Sequence, residues 1–168
     1  MQGRIGGITD SIEMDMKLKQ LTIITDSVPR ANSIKDALPF YLDNLGINSN
    51  ITAHITVLCR PMKKYYGLCS YEWIPKKRNN IEVLVELDSN MTKKKLLKIL
   101  AHELVHAKQF MNRTFIPLPD TKKHKDIGIW EGTKVQDLEY DKLPWEIEAK
   151  KVCKELYKLY KNKVDTDS

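Results

Sequence analysis

The pentapeptide His102-Glu103-Leu104-Val105-His106 constrains this chain more than any other stretch. Residues four apart on an α-helix lie one above the other, so two imidazoles at this spacing reach a single ion. Glu103, one position on, is rotated by about 100° around the axis, where it can take a proton from a water bound at that ion. The arrangement works only on a helix, and its surroundings read as one. Leu97, Leu100, Leu104 and Met111 fall on one stripe at helical spacing, flanked by Leu96 and Ala107. In projection His102 and His106 lie roughly opposite that stripe, so the helix has something to bind on each face. The bland alternative is a buried helix with two hydrogen-bonded histidines. It must place two of the chain's four histidines at ligand spacing around a glutamate by accident. A zinc site is the expectation.

A chain of 168 residues is long enough for one domain with a buried core. No apolar run approaches the roughly 18 residues of a membrane span, so no membrane partner is expected. Residues 1–20 carry charges and glycines without the apolar centre of a secretory signal. The three cysteines, Cys59, Cys69 and Cys153, form no C-x-x-C pair and leave one odd. Thiols in a reducing compartment fit better than a disulfide framework, which points to a cytoplasmic protein. Cys59 and Cys69 facing each other across a hairpin is the alternative to two small buried side chains.

Net charge is +6, with clusters at Lys63-Lys64, Lys76-Lys77-Arg78, Lys93-Lys94-Lys95 and Lys122-Lys123. A basic balance is compatible with nucleic acid. The clusters mostly fall at turns or on solvent faces of helices, and no nucleic-acid motif accompanies them. Nucleic acid is therefore the lesser expectation for a partner.

Residues 1–20 read as a loose lead-in, 21–160 as the domain and 161–168 as a polar, frayed tail. Leu21 to Thr25 is a short strand. A turn over Asp26 to Asn32 leads to a helix from Ser33 to Leu45, stopped by Gly46, with Pro39 marking a kink or break. Ile51 to Cys59 alternates Ile51, Ala53, Ile55 and Val57 with Thr52, His54, Thr56 and Leu58. Leu68 to Ile74 and Ile81 to Leu87 read as two further strands, and the short turns between the three predict an antiparallel meander. His54 stands alone in its strand and reads as structural or surface-exposed. Asp88-Ser89-Asn90 supplies N-cap candidates for the motif helix, which runs to about Asn112. Arg113 to Lys125 reads as loop and Ile127 to Val135 as a short strand or hairpin. Leu143-Pro144-Trp145 opens a last helix whose core face is Trp145, Ala149, Val152, Leu156 and Tyr160.

A catalytic zinc keeps three protein ligands and one open position, so a third ligand must come from elsewhere. The metzincin pattern needs Gly at 109 and His at 112; Gln109 and Asn112 exclude it. His124 is in a proline-containing loop. Glu146 and Glu148 sit at a helix start, about 200° apart in projection. Helix geometry alone does not choose between them.

An H-E-x-x-H followed by a helix carrying E-x-x-[SA]-D resembles the gluzincins, the thermolysin-like metallopeptidases. The resemblance covers roughly Ile51 to Tyr160, and the chain is similar to the very small gluzincin-like proteins of bacteria and bacteriophages. It implies His102 and His106 as zinc ligands, Glu103 as general base and Glu146 as third ligand, with Ala149 at the small position. Lys150 departs from the pattern, since the family has there an acid that orients a zinc-binding histidine.

The expected fold is α+β, a minimal zincin with an N-terminal helix, a small antiparallel sheet, the motif helix and a closing glutamate helix. The expected reaction is hydrolysis of a protein or peptide substrate, with Tyr140 and His124 as candidate oxyanion donors. Ile81 to Leu87 is the candidate sheet edge for an extended substrate, because it runs directly into the motif helix. Two rivals remain. One is a Spartan-like DNA-associated protease, which would use a third histidine; the cysteine zinc ribbon common in such proteins has no counterpart here. The other is a non-catalytic, zinc-stabilised protein-binding module.

Overall fold

The computed structural model describes residues 8–12, 20–47 and 50–168. Alternation along three strands places Leu21, Ile23, Ala53, Ile55, Val57, Ile81, Val83, Val85 and Leu87 on one face of a sheet, and all are buried. The strands are β1 (Ile8–Ile12), β2 (Gln20–Thr25), β3 (Thr52–Arg60), β4 (Gly67–Trp73) and β5 (Asn80–Asp88), in the spatial order β1-β2-β3-β5-β4. With three helices, the class is α+β.

The sheet is mixed, which corrects the expected antiparallel meander. β2 and β3 are parallel, β3 and β5 are parallel, and only the outer pairs β1–β2 and β4–β5 are antiparallel. Helix α1 (Val28–Asn44) carries the chain from the end of β2 back to the start of β3, as a parallel pair requires. β4 and β5 do form a hairpin, whose turn holds Lys76 and Asn79 at φ 64° and 60°. Within it β5 takes the inner place beside β3. The expected free edge at Ile81–Leu87 is therefore corrected: β5 is flanked on both sides, and β4 is the edge strand beyond it. Burial gives the reason, since β4 has no fully buried residue while β5 buries every second one. β5 also separates Cys59 from Cys69, and all three cysteines are free thiols.

Boundaries moved where local signals competed. α1 begins at Val28, with Pro29 in its first turn, and runs through Pro39; burial of Leu38, Tyr41 and Leu42 around the proline holds it. Gly46, at φ 68°, follows its end. The motif helix α2 spans Lys93–Met111 and is capped by Thr92, whose hydroxyl accepts from the Lys95 amide, not by Asp88, Ser89 or Asn90. Asp88 instead accepts from the Met62 and Asn90 amides in the preceding turn. A second sheet of β6 (Phe115–Pro117), β7 (Gly128–Trp130) and β8 (Thr133–Val135) contains the expected hairpin and one strand in the expected loop. Glu131 and Gly132, at φ 47° and 82°, make its tight turn. The last helix, α3, spans Pro144–Thr166, so the expected frayed tail is helical up to Thr166. Residues 161–166 contain no glycine or proline to stop it. The expected loose lead-in lies outside the described residues except at Ile8–Ile12, which form β1, and Gln20, which opens β2.

Helices α1 and α2 cover the buried face of the sheet, α2 lying over β4 and β5. α3 packs on α2, and its far end reaches α1 through Tyr160, whose ring is 5.6 Å from those of Phe40 and Tyr41. His54 is exposed on the sheet's opposite face. Among the described residues, no helix is long and apolar enough to cross a membrane.

Candidate metal centre

The apolar stripe of α2 is buried: Leu97 is at 4% exposure, and Leu100, Leu104 and Met111 are at 0%. That packing fixes the helix about its own axis and turns His102, Glu103 and His106 toward α3 and the edge strand β4. α3 starts at Pro144, which preorganises the first turn, and Trp145 is anchored by stacking on Phe115 at 4.1 Å. Glu146 is thereby delivered from a fixed helix start to the two histidines.

His106 Nε2 lies 3.2 Å from Glu146 Oε1 and 3.2 Å from His102 Nε2, while His102 Nε2 lies 3.4 Å from Glu146 Oε2. Tetrahedral zinc with bonds of about 2.0–2.1 Å implies ligand atoms roughly 3.3 Å apart. Glu146 is 6% exposed, and its Oε2 makes no contact of hydrogen-bond geometry; its polar neighbour is His102 Nε2 at 3.4 Å. A buried carboxylate oxygen held only by so long a contact is poorly satisfied, and a cation between it and the imidazoles would satisfy it. Among the described residues, this is the one group of three or more candidate ligands that converges on a point. The donor set, two imidazoles and a carboxylate, suits zinc. Glu148 turns away, toward Lys108 Nζ at 3.7 Å and Gln109 Nε2 at 2.8 Å.

Glu103 is also buried, and its carboxyl pKa is raised. Burial is the main cause; the histidines pull the other way and Glu146 adds to the rise. Its side chain packs on Gly67 at the start of β4, where an added Cβ would come within 2.7 Å of Glu103 Oε1 and 2.6 Å of Ile99. Glycine at 67 lets the edge strand approach the motif this closely.

Without metal, the surroundings of His102 favour its protonated form. Burial disfavours charge on His102, but contact with the Cys153 thiol and with Glu146, and the charges of Glu103 and Glu146, raise its pKa to about 10. Glu146 is lowered despite burial, because the two histidines bond to it. A histidine raised from 6.5 to about 10 stabilises the metal-free fold fully below 6.5 and loses that contribution as pH rises through 10. A metal must displace this proton, since only a neutral imidazole offers a lone pair. Zinc uptake at pH 7–8 is expected to release close to one proton, and zinc affinity to rise with pH up to about 10. Calorimetry in buffers of different ionisation enthalpy measures this; uptake without proton release would contradict it.

The centre opens into a cleft of about 280 Å³, whose lining includes Tyr65, Gly67, Phe110, Phe115 and Tyr140. Tyr140, in a short 3-10 turn before α3, is 55% exposed overall, but it lines the cleft beside Glu146, where partial desolvation and that carboxylate raise its hydroxyl pKa. His124 does not line the cleft, which corrects its candidacy as an oxyanion donor. Its Nδ1 is 2.7 Å from Asp137 Oδ1 on an exposed loop, where solvent and a local partner satisfy it. Lys150 pairs with Asp141 and lies over the Tyr140 ring, so it does not take over the acid's part.

Two residues not anticipated from sequence lie beside the histidines. Cys153 meets His102, and Gln109 Oε1 accepts from His106 Nδ1 at 2.8 Å. Gln109 is three residues after His106 on the same helical face, a spacing that pointed to it. Gly67 left no comparable signal, because its neighbour is a helix folded from residues more than thirty positions away. No family model, curated protein or solved structure matches the chain.

Proposed function

We propose that this chain is a zinc metallopeptidase that hydrolyses peptide bonds with Glu103 as general base. The observation that carries the reading is the convergence of His102, His106 and Glu146, with the Glu103 carboxylate in the same cleft. Zinc held by these three residues would polarise the scissile carbonyl and lower the pKa of a bound water toward about 7. Glu103 takes a proton from the attacking water as its oxygen bonds to the carbonyl carbon. It then passes that proton to the amide nitrogen, so that the C–N bond breaks and a neutral amine leaves. The raised pKa of Glu103 suits both halves of that transfer. Tyr140 donates a hydrogen bond to the oxyanion that develops at the carbonyl. The substrate lies extended along the free edge of β4, beginning beside Gly67 and Glu103.

Glu146 at the histidines, with His124 held outside the cleft, favours this reading over a Spartan-like enzyme with a third histidine. Three free thiols fit a cytoplasmic setting. The test is metal analysis of the purified chain followed by a broad peptide-cleavage screen. Close to one zinc per chain and cleavage abolished by a chelator are expected. Zinc at that ratio with no cleavage of any peptide would favour the non-catalytic binding module instead.

A further inference from the structure

Gln109 is fully buried, and every polar atom of its side-chain amide has a partner, two of them on α3 and one on its own helix. Its Nε2 donates one hydrogen to the Trp145 carbonyl at 3.0 Å and the other to Glu148 Oε2 at 2.8 Å. Its Oε1 faces His106 Nδ1 at 2.8 Å. Both groups at Nε2 are acceptors only, a backbone carbonyl and a carboxylate. Turning the amide over would set its oxygen against both of these acceptors and lose both hydrogen bonds. The amide therefore has one orientation, with oxygen toward the histidine. That oxygen accepts only from an Nδ1–H, which leaves the Nε2 lone pair of neutral His106 for an ion.

We infer that Gln109 is the positioning residue of the metal centre, fixing His106 in its Nε2-liganding tautomer on instruction from α3. The inference rests on the metal reading above and concerns how one ligand is made. Glu148 acquires a part in it: the residue two positions beyond Glu146 sets the polarity of the amide that orients His106. The same amide ties α2 to the carbonyl of Trp145, immediately before Glu146. One side chain thus couples the helix bearing two ligands to the helix bearing the third. It does from within α2 what an acid at position 150 would otherwise do for a histidine.

The test compares variants by zinc affinity in chelator competition and by melting of the metal-free chain. Gln109→Met keeps bulk and removes every polar atom; it is expected to weaken zinc binding by about 10–100-fold, the usual cost of losing such an orienting partner. Glu148→Gln still accepts from Gln109 and is expected to bind zinc within about twofold of the parent. Glu148→Leu removes one acceptor while the Trp145 carbonyl still holds the amide, so an intermediate loss is expected; it also serves if Gln109→Met does not fold. Imidazole ¹⁵N spectra of the zinc-loaded parent should show His106 protonated at Nδ1, and that signal should lose its hydrogen-bonded character in Gln109→Met. A folded Gln109→Met with parental zinc affinity would overturn the inference and make Gln109 merely structural. So would coordination through His106 Nδ1. If the parent itself binds no zinc, the metal reading fails instead.

Discussion

Glu103→Gln is expected to retain one zinc per chain and to lower peptide hydrolysis by about 10²–10⁴-fold, the range for loss of a general base. The side chain lies in the cleft but is not one of the three converging ligands, so the metal has no reason to leave. Glutamine has the same shape, which matters here because Glu103 packs within van der Waals reach of Gly67. Only the capacity to take up and return a proton is lost. The fall should appear in kcat with KM little changed, since the proposed substrate alignment on β4 would be untouched. Loss of zinc from Glu103→Gln would assign the residue to the metal instead of the proton.

Glu146→Ala is expected to weaken zinc binding by more than about 100-fold, beyond the range of outer partners. Hydrolysis should fall with it. Removing this carboxylate leaves the two Nε2 atoms 3.2 Å apart with no anion between them, so the metal-free chain should also lose the ion pair that holds a proton on His102. Glu148→Gln in parallel should keep zinc. Equal losses from the two replacements would overturn the choice of Glu146. Zinc binding unaffected by Glu146→Ala would overturn the site itself.

Much of this centre was legible because its chemistry is local. His102, Glu103 and His106 fall within five residues, and the 3.6-residue period places them once the leucine stripe marks the helix. The stripe was readable for the same reason, since Leu100, Leu104 and Met111 report one face without reference to anything else. Alternation in β3 likewise separated Ala53, Ile55 and Val57, which are buried, from the side chains of the other face. It did not tell which strand would lie beside which. An alternating strand has the same pattern whether its neighbour runs parallel or antiparallel, and a hairpin fits on either side of its partner. The order strand, helix, strand over residues 20–60 was the available sign of the parallel pair β2–β3.

The amino-acid sequence by itself determined the α+β class, the motif helix with its two histidines and general-base candidate, and a carboxylate helix to follow. Resemblance, not helix geometry, singled out Glu146, because residues 146 and 148 are equivalent until the rotation of α3 is known. That rotation is set by contacts between distant residues: Trp145 on Phe115, and Gln109 on the Trp145 carbonyl and Glu148. The tertiary structure alone decided that β4 is the free edge, that Gly67 admits it to Glu103, and that His124 stands aside with Asp137. The division has one physical cause. A helix fixes the mutual geometry of residues one turn apart through its own hydrogen bonds, whereas residues in different elements meet only where packing of the whole core brings them.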